Sequence, residues 1–148
     1  MSTNHRTDHR TDHRTDHRTY HGSCHCGVVR FEADVDLAAG TIRCNCSLCV
    51  KKRWWGAMVR PQHFRLLAGE DALEEYTFGR HIEKHRFCRH CGVQPFVFGH
   101  SPVRGDFVAI NVGTLDDVSD AELAALPVTY VDGRDERWQD APAVTSHL

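Results

Sequence analysis

The chain has 148 residues, of which 41% are hydrophobic and 26% charged, and its formal net charge is −2 with histidine neutral. This size favours one domain with a modest core, and the charge provides no basic field for nucleic acid or an anionic membrane. No apolar run approaches the roughly 20 residues that cross a bilayer, and the first residues lack the apolar core of a signal peptide. We therefore expect a cytoplasmic protein, in a compartment where thiols stay reduced.

The N-terminal segment 4–20 repeats the unit His-Arg-Thr-Asp and has no apolar residue before Tyr20. Since nothing in it can be buried, no packing offsets the entropy of ordering it, and we expect residues 1–21 to be a disordered tail. A weak metal-collecting tract is the alternative interpretation. The histidines on which it would depend recur at every fourth position and are His5, His9, His13 and His17.

From Gly22 onward, short apolar and β-branched runs alternate with Gly, Pro and Asp at a spacing typical of an all-β sandwich or barrel. The predicted strands cover residues 28–35, 41–46, 57–61, 64–69, 73–79, 84–88, 94–99 and 106–115. We expect the folded domain to span 22–135. The polar segment 136–148 is expected to be loosely held, with Trp138 as a possible attachment to the body.

One short helix is predicted in the C-terminal half, over residues 119–126. Ser119 and Glu122 have the spacing of a capping box, and Pro127 is expected to end the helix. The expected fold class is therefore mainly β with a single short helix.

Seven cysteines fall into three groups along the chain. In a reducing compartment they are better interpreted as metal ligands than as disulfides, and the odd count agrees. The groups are Cys24 and Cys26, then Cys44, Cys46 and Cys49, then Cys88 and Cys91. Seven ligands divide naturally into a set of four and a set of three.

The two outer pairs share a Cys-Gly ending, at Gly27 and Gly92, and both precede a predicted strand. Glycine accepts the positive φ of tight turns that aim backbone amides at sulfur. Two such turns predict a closed zinc site of four thiolates that staples an N-terminal strand to a central one. The alternatives are that one pair alone binds metal or that the thiols are simply buried.

The middle group places three thiols within residues 44–49. Three protein ligands with an exchangeable fourth position is the arrangement of catalytic zinc. A histidine from elsewhere could instead supply the fourth ligand, and an iron–sulfur cluster is a further alternative. The candidate histidines are His25, His63, His85 and His90.

Three cations and two tryptophans follow the middle group. Cations beside thiolates lower thiol pKa values and can bind a ligand carboxylate, and aromatic rings can form a pocket wall. The predicted substrate contacts are Lys51, Lys52, Arg53 and Trp54. The alternative interpretation is a solvated basic turn, with Trp54 and Trp55 in the core.

With these motifs the sequence resembles the glutathione-dependent formaldehyde-activating enzyme family, which includes centromere protein V-like members. The resemblance covers residues 22–118 and rests on GSCHCGVVRFE, RCNCSLCVKKRWWGA, LEEYTFGRHIEKHRFCRHCGVQPF and VAINVGTLDD. It implies a β-rich fold similar to the Mss4-like zinc fold. It also implies a carbon–sulfur lyase that joins formaldehyde to glutathione as S-(hydroxymethyl)glutathione.

The resemblance further implies two zinc ions with separate roles. The structural zinc would be bound by Cys24, Cys26, Cys88 and Cys91. The catalytic zinc would be bound by Cys44, Cys46 and Cys49. A bound thiol would then be deprotonated, or an aldehyde oxygen polarised. The sequence identifies no general base, and His85 and His90 are the candidates for that role.

These motifs are consistent with three functions. The favoured one is a zinc-dependent lyase acting on a small thiol such as glutathione and an aldehyde, without nucleic acid or membrane as partner. The alternative is a non-catalytic thiol carrier or metal-binding module. A nucleic-acid-associated zinc protein is less favoured, because the net charge is −2.

Overall fold

The computed structural model describes residues 17–148, which form ten β-strands in two sheets with few short helices. The strands are β1 (Arg18–Ser23), β2 (Arg30–Val35), β3 (Thr41–Cys44), β4 (Trp55–Val59), β5 (Phe64–Ala68), β6 (Leu73–Tyr76), β7 (Lys84–Cys88), β8 (Phe96–Ser101), β9 (Gly105–Asn111) and β10 (Val128–Val131). The α-helices are α1 (Cys49–Lys52) and α2 (Asp120–Ala125). The predicted mainly-β fold class is confirmed. No helix within residues 17–148 has the length and apolar character needed to cross a membrane.

The smaller sheet has the order β1-β2-β5 and is antiparallel throughout. Alternate residues of β2 face inward, as expected for a strand with one covered face. Phe31 of this strand is 0% exposed, and its ring lies 5.7 Å from that of Phe64 and 5.9 Å from that of Phe96. Because Phe96 belongs to the larger sheet, this aromatic cluster forms the core between the two sheets.

The larger sheet has the order β10-β3-β4-β9-β8-β7-β6, and every neighbouring pair is antiparallel except β10 with β3. Alternating directions bring the ends of β3, β7 and β9 to the same edge as the starts of β4 and β8. Cys44 ends β3 and Cys88 ends β7. The topology therefore brings the middle and last cysteine groups toward one end of this sheet, which we call the cysteine edge. Cys24 and Cys26, from the smaller sheet, reach the same place because their sulfurs lie beside those of Cys88 and Cys91.

Each of the eight predicted strands has a counterpart, but β1, β10 and α1 were not predicted. Strand β1 pairs with β2 from Arg18↔Val35 to Ser23↔Arg30, so it takes in residues 18–21, which the composition assigns to the tail. A polar segment can pair here because the ladder uses backbone groups, while Tyr20 supplies a buried side chain. Residues 1–16 of the expected tail, with three of its histidines, lie outside the described residues.

Helix α2 begins as predicted, with the Ser119 hydroxyl accepting a hydrogen bond from the Glu122 amide at 3.1 Å. The Glu122 carboxylate, however, accepts a hydrogen bond from the Tyr20 hydroxyl at 2.9 Å. The capping box is thus only half formed, because the unpredicted strand β1 offers Glu122 a different partner.

The C-terminal segment 136–148 contacts the body at several points. The Asp132 amide donates to the Asp140 carbonyl at 2.9 Å, and Leu148 is buried. A Cβ atom at Gly133 would come within 2.8 Å of the Trp138 ring, so this ring lies directly on the turn after β10. The expected attachment through Trp138 is therefore present, although the ring is 57% exposed.

Replacing Phe31 by alanine should reduce the free energy of unfolding by about 3–5 kcal/mol, because the cavity would open between both sheets. Denaturant unfolding of the metal-saturated protein measures this loss. The matched control is Val103→Ala, at a side chain that is 89% exposed, which should stay within about 0.5 kcal/mol of wild type. Equal effects of the two substitutions would contradict this assignment of the core.

Candidate metal centres

The first centre is a group of four cysteines whose sulfur atoms all lie within 4.8 Å of one another. Its members are Cys24, Cys26, Cys88 and Cys91. The Cys24 and Cys26 sulfurs are 3.6 Å apart, and those of Cys26 and Cys88 are 3.7 Å apart. Zn–S bonds of about 2.3 Å in a tetrahedron require sulfur separations of about 3.8 Å. The donor set and its spacing therefore fit one zinc ion.

Two turns of similar construction deliver these sulfurs. The Gly27 amide donates to the Cys24 carbonyl at 3.1 Å, and the Gly92 amide donates to the Cys88 carbonyl at 2.7 Å. Both glycines have positive φ, +81° and +76°, a conformation that side-chain-bearing residues rarely adopt. The Val29 amide points at the Cys24 sulfur at 3.3 Å. The doubled Cys-Gly pattern thus has the structural role that the sequence predicts.

Backbone donors also favour the ionised form of one member of this group. Hydrogen bonds from the Cys26 and Val93 amides lower the pKa of the Cys91 thiol to about 6. Thiolates rather than thiols bind zinc, so these amides prepare the sulfur for a metal ion. The group lies between the β1–β2 loop of the smaller sheet and the β7–β8 loop of the larger one.

The second centre is formed by Cys44, Cys46 and Cys49, whose sulfurs also lie within 4.8 Å of one another. The Cys46 amide points at the Cys44 sulfur at 3.3 Å, and the Cys49 amide points at the Cys46 sulfur at 3.4 Å. Cys44 is buried at the end of β3, while the other two are partly exposed. One short segment therefore presents three sulfurs together beside solvent.

Hydrogen bonds between the three thiols shift their pKa values in opposite directions. Hydrogen bonds from the Cys44 and Cys49 thiols lower the pKa of Cys46 to about 2. The pKa of Cys49 is raised, first by its hydrogen bond to Cys44 and then by the one to Cys46. A bound cation would take the place of these shared protons as the common partner of the three sulfurs.

No histidine, aspartate or glutamate within residues 17–148 joins the three sulfurs inside the 4.8 Å limit. His25 and His90 are exposed between members of the four-cysteine group, and neither reaches the second centre. His85 lies on β7 and is buried, yet it too is absent from the group. The geometry therefore favours three protein ligands over the alternative of a histidine fourth ligand.

The loop of the second centre is held from behind by Asn45, a buried residue between two of the cysteines. Its amide nitrogen donates to the Asp132 carboxylate at 2.9 Å, and its oxygen accepts from the Arg134 amide at 3.0 Å. A Cβ atom at Gly133 would lie 2.5 Å from the Cys44 sulfur, so this contact requires glycine. The sequence analysis did not identify Asn45 or Gly133 as part of this site. The position of Asn45 between two predicted ligands could have indicated its role.

The three cations after Cys49 are placed differently from one another. All three residues are exposed, and they differ in where their charged groups point. The Lys52 ammonium turns inward, donates to the Gln94 side-chain oxygen and lies 5.2 Å from the Trp54 ring centroid. Burial lowers the pKa of Lys52, and the charges of Cys49 and Cys46 oppose that effect. The inward position is possible because α1 and Gln94 both lie at the cysteine edge.

Of the two tryptophans, Trp55 is part of the sheet rather than of an open pocket. Its indole N–H donates to the Thr41 hydroxyl at 2.8 Å, and the Arg43 guanidinium lies 4.8 Å from its ring centroid. Trp54 is partly buried and lies under Lys52. The core interpretation thus suits Trp55, while Trp54 lies closer to the second centre.

The fold defines a β-rich protein, and its two cysteine clusters at the cysteine edge could each hold a metal ion. The family described as glutathione-dependent formaldehyde-activating enzyme matches residues 19–132. The chain belongs to this family. Among solved structures, it is similar to a Rhodobacter sphaeroides protein determined as a structural-genomics target, with 32% identity and a TM-score of 0.63. That similarity covers 74% of this chain and 99% of the other.

The purified protein should bind two equivalents of metal, one at each centre. Replacing Cys44, Cys46 and Cys49 together by serine should reduce this to one equivalent, with the circular-dichroism spectrum retained, because the four-cysteine group is untouched. Elemental analysis by mass spectrometry measures the change, with Ser47→Ala in the same loop as control. Loss of both equivalents in the triple variant would mean a single shared cluster instead.

The substitution Asn45→Ala should weaken metal binding at the second centre by about 10–100-fold, because groups that orient ligands have effects of this size. Competition with a chromophoric chelator measures the affinity. The exposed residue Thr129 on the neighbouring strand supplies the control Thr129→Ala. An Asn45→Ala protein with wild-type affinity would show that the loop holds its shape unaided.

Proposed function

We propose that this protein is a zinc-dependent carbon–sulfur lyase that forms or cleaves a thiol–aldehyde adduct such as S-(hydroxymethyl)glutathione. The observation that carries the proposal is the second centre, where one loop gathers three sulfurs within 4.8 Å. Three protein ligands beside an exchangeable position is the arrangement of catalytic zinc. Membership of the family supports glutathione and formaldehyde as the reactants.

In this proposal, the ligands of the catalytic zinc are Cys44, Cys46 and Cys49. The structural zinc is held by Cys24, Cys26, Cys88 and Cys91. When bound, zinc supplies deprotonation of a coordinated substrate thiol and polarisation of a carbonyl oxygen. Three protein thiolates offset the charge of the dication, so exchange of the substrate thiol is favoured over strong polarisation.

The exposed cations at the second centre suit an anionic thiol. Lys51 and Arg53 face solvent and are available to bind the carboxylates of glutathione. Lys52 and Trp54 form one wall of the same region. We therefore assign Lys51 and Arg53 to carboxylate binding, and Lys52 with Trp54 to shaping the site.

The reaction itself needs no oxidant or reductant. During formation of the adduct, a sulfur electron pair makes the carbon–sulfur bond while the carbon–oxygen π pair moves onto oxygen. The oxygen then gains a proton equivalent to the one lost by the thiol, and cleavage is the reverse. The seven free cysteines suit a reducing compartment in which glutathione is available, so we propose a cytoplasmic location.

Cys46→Ser should reduce turnover to the uncatalysed rate while the domain stays folded, since the four-cysteine group remains intact. Exchange spectroscopy by nuclear magnetic resonance measures how fast glutathione and formaldehyde interconvert with their adduct. Ser47→Ala, in the same loop but outside the sulfur group, is the matched control and should keep wild-type turnover.

Two outcomes would count against the proposal. Unchanged turnover in Cys46→Ser would remove the second centre from the reaction. A wild-type protein that binds glutathione without accelerating exchange over buffer would be a thiol carrier.

A further inference from the structure

A chain of three polar side chains starts beside the second centre and ends at a buried histidine. Lys52 donates from its ammonium group to the Gln94 side-chain oxygen. Gln94 in turn lies with its amide nitrogen 3.2 Å from Nδ1 of His85. Both Gln94 and His85 are buried. We call these three residues the polar relay.

The relay determines which way the Gln94 amide faces. A lysine ammonium group only donates hydrogen bonds, so it must face the amide oxygen. The amide NH₂ group then faces His85, and because NH₂ also only donates, Nδ1 of His85 must accept. A neutral imidazole with an accepting Nδ1 carries its proton on Nε2. His85 is therefore an Nε2–H donor.

This donor has no acceptor within the part of the chain that the structure describes. Nε2 of His85 is buried and lacks a hydrogen-bond partner, and the residue as a whole is 8% exposed. The Phe78 ring is stacked on the imidazole, with ring centroids 5.7 Å apart and an angle of 29° between the ring planes. Its face therefore does not meet the N–H bond, which lies in the plane of the imidazole. A buried donor left unpaired destabilises the fold unless an ordered water or a ligand supplies the acceptor, and a ligand oxygen can take the place of such a water.

The imidazole is also neutral under ordinary conditions. Burial, followed by the nearby charge of Lys52, lowers the pKa of His85 to about 4, and the Cys46 thiolate opposes this shift. The contacts from Lys52 to Gln94 and from Gln94 to His85 connect this imidazole to helix α1, which begins at Cys49. A neutral N–H donor stabilises negative charge on an oxygen without giving up its own proton.

We propose that Nε2–H of His85 donates a hydrogen bond to the oxygen of the thiol–aldehyde adduct, an inference that rests on the proposed function. Gln94 and Lys52 act as positioning residues. As the carbon–sulfur bond forms, the carbonyl π pair moves to this oxygen, and the hydrogen bond strengthens as its charge grows. His85 keeps its proton throughout. The proton that the oxygen finally gains balances the one released by the thiol.

His85→Phe removes the donor but keeps a planar ring to stack on Phe78. Its turnover number should fall about 10²–10³-fold, the loss typical for a missing oxyanion donor, while KM for glutathione changes little. His85→Gln, which can offer an N–H, should recover part of the rate. The control His100→Phe changes an exposed histidine of β8 and should behave as wild type. A wild-type turnover number in His85→Phe overturns the inference.

A second measurement does not depend on turnover. Proton–nitrogen correlation spectra of the zinc-loaded protein should show the His85 proton on Nε2. This signal should move downfield with the glutathione–formaldehyde adduct but not with S-ethylglutathione, in which a methyl group replaces the hydroxyl. A proton on Nδ1, or equal shifts with both ligands, overturns the inference. An inactive wild-type protein with the expected spectra would instead reject the lyase proposal and keep His85 as an adduct-binding donor.

Discussion

The convergence of four cysteine sulfurs between the two sheets is the constraint on which the rest of this structure depends. Two tight turns from distant parts of the chain bring these sulfurs within 4.8 Å of one another. Uncompensated thiolates at this distance would repel each other, so a shared cation is the natural means of stabilising them. In a chain of this size, such a cross-link adds to what a modest aromatic core can supply.

This junction also positions groups that lie outside it. Gln94 follows Cys91 by three residues, and the Cys88 amide bonds the Val93 carbonyl at 2.9 Å just before it. The Asn111 side chain holds the Gln94 carbonyl at 2.9 Å from the end of β9. The side chain of Gln94 therefore extends from a rigid support toward the second centre. The four-cysteine group thus helps to fix the position of a side chain beside the second centre.

Two sets of hydrogen-bonded polar side chains, each with buried members, lie near the cysteine edge. Asn45 links the loop of the second centre to the turn after β10, and Gln94 links α1 to β7. Hydrogen bonds inside a low-dielectric interior are strong when complete and costly when incomplete. Among the described residues, two buried side-chain nitrogens lack a hydrogen-bond partner, Nε2 of His85 and Nε of Arg86. The Arg86 nitrogen lies 3.1 Å from the Glu75 carboxylate, whereas Nε2 of His85 has no such neighbour.

The sequence by itself determined the mainly-β class, eight of the strands, the family and the division of cysteines into four and three, because these depend on local spacing. It did not reveal β1 or β10, since polar residues there pair through the backbone with partners distant in sequence. Only the tertiary structure decided that, of the three exposed cations 51–53, Lys52 directs its ammonium group to Gln94. The contact with His85 through Gln94 was likewise invisible, because it depends on the pairing of β7 with β8 and on α1 lying against the loop between them.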